Sequence, residues 1–100
     1  SRVVQNPEQY QKTDPNIEAI MNSFEVTEAQ AETIWGILQE CGVGSIEIIS
    51  RDTMLDGLYN TDDIGYRIRT EDGNNPVLYL NGAGEVSQIR WANQTLYPKS

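Results

Sequence analysis

The stretch Val26–Val43, VTEAQAETIWGILQECGV, decides the fold. Thr27 and Gln30 stand at the spacing of a capping box, in which each side chain satisfies the other residue's backbone N–H. Val26, just before the cap, is placed to pack on Ala31 as a hydrophobic staple. Ala31, Ile34, Trp35, Leu38 and Cys41 then form one apolar stripe at helical spacing, with Glu28, Glu32, Gln39 and Glu40 mostly off it. Glu28 and Glu32 lie near the helix N-terminus, where negative charge is favoured. Gly42 stops the helix, because glycine takes the left-handed conformation without a steric penalty, and Val43 can then touch Leu38.

Upstream, Asp14-Pro15 supplies a second N-cap and first helical position. Ile17, Ile20, Met21 and Phe24 follow at helical spacing, which predicts a short helix that must dock to persist. Residues 1–13 are polar and aperiodic and read as a flexible arm or linker, with Val3, Val4 and Tyr10 available for a short edge extension. Downstream the period changes to two. Ser45–Arg51 reads as a strand with Ile46 and Ile48 inward. Ile64–Thr70 reads as another, with Ile64, Tyr66 and Ile68 on one face and Arg67 and Arg69 on the other. Val77–Asn81 and Glu85–Trp91 complete the set. The alternation slips between Val86 and Ile89, which predicts a bulge. Turn formers over 71–76 and the Asn81-Gly82 pair join the last three strands as a meander, and Leu96, Tyr97 and Pro98 form a tail. The expectation is one α+β domain over 14–100: one main amphipathic helix and a short N-terminal helix packed on a four-stranded antiparallel β-meander.

Composition narrows the function classes. Seven basic residues face fifteen acidic ones, for a net charge of −8. Such a surface repels phosphate backbones and anionic lipid, so no nucleic acid is expected as a partner. No apolar run approaches the ~20 residues of a membrane span, so this segment is not expected to insert. Histidine is absent, which removes the commonest general base and metal ligand. The single cysteine, Cys41, allows no internal disulfide; it lies on the apolar stripe at a helix end whose dipole disfavours a thiolate, and reads as an inert thiol. Asp52, Asp56, Asp62 and Asp63 crowd the 12-residue connection 52–63, but without the alternate acidic positions, central glycine and terminal glutamate of a calcium loop. A solvated loop is the simpler reading, with Met54, Leu55 and Leu58 able to tuck it inward. No catalytic residue, cofactor or metal is expected.

The aromatic residues offer the sharper reading. Tyr66, Tyr79 and Trp91 fall on successive strands and could align across the sheet. On an uncovered face, with Arg67 and Arg69 beside them and Asp56 in the adjoining loop, they would form a partner-binding surface; cross-strand packing is the plainer alternative.

The order Val26-Thr27-Glu28-Ala29-Gln30-Ala31, Ile34-Trp35, Cys41-Gly42-Val43, with Leu55-Asp56, Gly65-Tyr66-Arg67-Ile68, Leu78-Tyr79-Leu80, Val86, Ile89-Arg90 and Leu96-Tyr97, resembles an uncharacterised domain of secreted proteins and lipoproteins from Gram-positive gut bacteria. No activity comes with that resemblance. It implies placement outside the cytoplasmic membrane, behind an upstream targeting segment that has been removed. The expected function is a non-enzymatic extracytoplasmic binding or accessory domain for an unknown protein or cell-surface ligand, as a monomer or weak dimer. The alternatives are a small hydrolase using Asp/Glu acid–base chemistry and an acidic inhibitor or mimic.

Overall fold

A computed structural model describes residues 14–99. The arm expected over 1–13, with Val3, Val4 and Tyr10, lies outside the described residues, as does Ser100. Two helices, α1 (Pro15–Phe24) and α2 (Glu28–Glu40), precede the strands β1 (Ile46–Arg51), β2 (Ile64–Thr70), β3 (Val77–Leu80), β4 (Val86–Trp91) and β5 (Gln94–Tyr97), with a short 3-10 turn at Thr53–Leu55. The strands form one antiparallel sheet in the order β1-β2-β3-β4-β5.

The α+β architecture is as expected, but the sheet has five strands where four were read. The tail forms β5 because Ala92 and Asn93 both adopt positive φ, 52° and 66°, turning the chain straight back onto β4. That is the conformation of a two-residue hairpin turn, and alanine is not among the residues that announce it.

The second helix is built as read. The Thr27 hydroxyl accepts the Gln30 N–H at 3.1 Å, and Gln30 Oε1 accepts the Thr27 N–H at 3.0 Å. Gln30 Nε2 also donates to the Ala83 carbonyl at 3.2 Å, tying the β3–β4 turn to the start of α2. At the other end, with Gly42 at φ 96°, the Gly42 N–H reaches Gln39 O and the Val43 N–H reaches Leu38 O, both at 3.0 Å. These are the paired bonds of a Schellman stop.

One face of the sheet carries the core. Ile20 and Phe24 of α1 and Ala31, Ile34, Trp35 and Leu38 of α2 are buried against Tyr66, Ile68, Leu78, Leu80 and Ile89. Ladder register explains which strand residues join them. On β1, Ile46 faces Thr70 but Ile48 faces Arg69, leaving Glu47 as an extra residue. This bulge reverses the alternation. Ile46 and Ile49 therefore pack on the core, and Ile48, expected inward, turns outward and is 52% exposed. The slip expected in β4 is real: Tyr79 faces Gln88 and Leu80 faces Val86, so Ser87 bulges. No helix among the described residues is long and apolar enough to cross a membrane.

Candidate functional site on the outer sheet face

The sheet face away from the helices carries a cross-strand row. Ser50 faces Arg67, Arg67 faces Val77, Val77 faces Arg90 and Arg90 faces Thr95. Directly opposed residues point to the same side, so these five share the outer face. Ile48 and Arg69 flank the row on one side, Tyr79 and Gln88 on the other. Three of the chain's seven basic residues thus stand together on a strongly acidic molecule. Arg69 is exposed and makes no ion pair among the described residues.

The 52–63 connection is clamped at the β1–β2 end of the sheet, by Arg67 from the outer face and by Arg51, which stands opposite Tyr66, from the helix side. Asp52 caps the 3-10 turn by accepting the Met54 N–H at 3.0 Å, and its other oxygen takes Arg67 Nε at 2.6 Å. Asp56 accepts both terminal nitrogens of Arg51 at 2.7 Å, and also the Gly65 N–H at 2.9 Å. Between the clamps Leu55 is buried directly on Gly65, where an added Cβ would collide with Leu55 Cβ. Further on, Tyr59 meets Tyr79 edge to face at 5.4 Å, the Arg90 guanidinium lies 4.8 Å from the Tyr59 ring centre, and Asn60 donates to the Ser87 hydroxyl at 3.0 Å. Leu55 is the only one of the three apolar loop residues to tuck inward. Met54 (82%), Leu58 (57%) and Tyr59 (52%) stand exposed on a loop that is otherwise tied down.

The sequence-expected site residues separate. Arg67 and Arg69 lie on the outer face as read. Tyr66 does not: it pairs with Leu78, so it turns to the core, 7% exposed, with its ring centre 4.4 Å from that of Phe24. Burial pushes its phenol pKa up. Tyr79 is on the outer face but only 3% exposed, beneath Tyr59. Trp91, 41% exposed at the end of β4, borders both the outer face and a smaller cleft beside Cys41. Asp56 is engaged with Arg51. The expected Tyr66–Tyr79–Trp91 line across one face therefore does not form. What exists is a shallow depression of about 420 Å³ lined by Tyr59, Arg67, Val77, Arg90, Trp91 and Asn93.

Neither a family model, nor a curated protein, nor a solved structure matches this chain.

The loop carboxylates have protein donors. The Arg67 hydrogen bond, then the Met54 N–H, holds Asp52 below its ordinary 3.8; the Arg51 hydrogen bond, then the Gly65 N–H, does the same for Asp56. Asp63 is buried and accepts from Asn60 at 3.0 Å. Among the described residues no group of three or more His, Cys, Asp or Glu is placed to hold a metal. Cys41 is half-buried, its thiol pushed up chiefly by burial.

The depressed carboxylates give a pH prediction. A carboxylate whose folded pKa is lowered contributes stability above its unfolded pKa and loses it as pH falls through the folded value. The clamps should hold at neutral pH, begin to weaken below 3.8 and open further down. Amide exchange over 57–63, corrected for intrinsic rates, is expected to be faster at about pH 2.5 than at about pH 6, with helix α2 less affected. Equal protection factors at both pH values would show that the ion pairs do not hold the loop.

Tyr59, Met54, Leu58 and Ile48 were not singled out from the sequence as site residues. The available signal was the flanking of Asp52 and Asp56 by Arg51 and Arg67, which lie on adjacent strands.

Proposed function

We propose that this domain is a non-enzymatic binding module that docks an acidic, partly apolar protein surface against the outer sheet face and the clamped 52–63 loop. The carrying observation is the loop itself. Two Arg–Asp pairs and a buried leucine hold Met54, Leu58 and Tyr59 in water beside an arginine row. A loop backbone already held in place has little ordering entropy left to lose on association. The arginines supply complementarity, and so register and on-rate. Placement outside the cytoplasmic membrane follows the sequence resemblance.

The carboxylate environments also favour binding over hydrolysis. Asp52, Asp56 and Asp72 are each held below the ordinary carboxylate value by donors, the reverse of the raised carboxyl that a general acid requires. One observation favours the acidic-mimic reading. Asp14, Glu18, Glu25, Glu28, Glu32 and Glu40 are exposed on and around the helices, and residues 14–50 contain no lysine or arginine. The two readings use opposite sides of the molecule. In affinity capture from cell-surface extracts, Arg69→Glu with Leu58→Ser is expected to abolish the retained partner, and Glu28→Lys with Glu32→Lys to spare it. The reverse pattern would transfer the function to the helical layer.

Trp91→Ala separates packing from contact at the rim of the depression. With the side chain partly in solvent, the stability cost is expected to be about 1 kcal/mol, while capture weakens several-fold. A melting temperature that collapses while capture is unchanged would make Trp91 a packing residue only.

A further inference from the structure

We infer that the outer sheet face accepts the helical layer of a second copy of this chain, so that copies stack head to tail. The inference rests on the binding reading above and names an occupant for the same face. Charge complementarity carries it. The helical side presents exposed Glu18, Glu25, Glu28, Glu32 and Glu40, with Arg51, paired to Asp56, and Lys99 at its margins, and the opposite side presents Arg69 and Arg90 beside the Asp52-paired Arg67. Shape agrees. The 13-residue α2 is about 20 Å long at ~1.5 Å per residue. The five-stranded sheet is about 20 Å across at ~4.8 Å per strand. Two faces of that size bury less than the ~1,000 Å² of a stable interface, so the contact is weak. The net charge of −8 opposes it at long range. At about 50 mM salt that repulsion is screened beyond roughly 14 Å, and the opposed local charges act inside that distance. The contact joins patches on opposite sides of the molecule, so it cannot close as a two-fold dimer and growth does not stop there.

Sedimentation of the unmodified chain from micromolar to millimolar concentration reads this directly. In about 50 mM salt the average mass is expected to rise past twice the monomer without a plateau, and in about 0.5 M salt to fall back to the monomer. Ser50→Glu with Arg69→Glu, which leaves both loop clamps intact, is expected to stay monomeric. So is Glu28→Lys with Glu32→Lys. Mixing the two variants, each checked to melt as the parent does, should restore association, because each supplies the face that the other inverts. A chain that stays monomeric at low salt, or that stops at a dimer, overturns the stacking. If it is monomeric and Arg69→Glu with Leu58→Ser still abolishes capture from surface extracts, the binding reading survives without it. If capture also survives those substitutions, both fail.

Discussion

Leu38→Ala is expected to cost about 2–5 kcal/mol, the range for truncating a fully buried leucine. Leu38 is completely excluded from solvent, it sits in the middle of the core cluster, and its carbonyl accepts the Val43 N–H that ends α2. Removing its branched end leaves a hole that two helices and a sheet cannot close without moving. A domain of this size is stabilised by only about 5–15 kcal/mol, so the loss is a large share of the total. The melting temperature should fall by roughly 8–40 °C, at about 4–8 °C per kcal/mol. Urea unfolding should show a lower midpoint with an unchanged slope, as expected when the native and unfolded surfaces stay the same. Leu58→Ala is the control: Leu58 is exposed, and its removal should stay within about 0.5 kcal/mol of the parent. Similar costs at both positions would mean that α2 does not rest on the sheet.

Gly65→Ala is expected to cost about 1–3 kcal/mol by overpacking and to loosen the 52–63 loop selectively. The new methyl group lands on Leu55 Cβ, and the backbone N–H of the same residue holds Asp56 in its clamp. Because the obstruction is a Cβ, Leu55→Ala does not relieve it, whereas Leu55→Gly does. Amide exchange at 55–63 should rise in Gly65→Ala while α2 stays protected, and partner capture should fall with it. If Gly65→Ala keeps the parental loop protection and melting temperature, the seating of Leu55 is wrong and the clamped loop loses its foundation.

Helix α2 was legible from end to end because its determinants are local. The capping box spans four residues, the stripe obeys one period, and the Gly42 stop is read in place. The bulge in β4 was legible for the same reason: Val86 and Ile89 cannot share a face under strict alternation. Glu47 carries no such mark. Set between isoleucines, it reads as an ordinary outward residue, and only the pairing of β1 with β2 shows that it is extra. Strand β5 was missed because Ala92 occupies a left-handed position that alanine seldom takes. Tyr66 and Tyr79 were expected on one side, but cross-strand register sets faces, and Tyr66 stands opposite Leu78. The loop clamps join Arg51 to Asp56 and Arg67 to Asp52, and only folding brings the second pair together. The arginines of the site could be read from alternation; the apolar loop residues beside them depend on which of three candidates Gly65 admits.

Strand β1 is one of the sheet's two outermost strands, and such a margin is normally a template onto which a foreign strand can zip. Here the ladder is spoiled near its start. The carboxamide oxygen of Asn16 takes the Ile46 N–H at 2.8 Å, and the extra residue beside it is a charged glutamate. Fibril-like lateral growth is thereby discouraged along this margin, which lets the protein expose Ile48 without inviting its neighbours to extend the sheet.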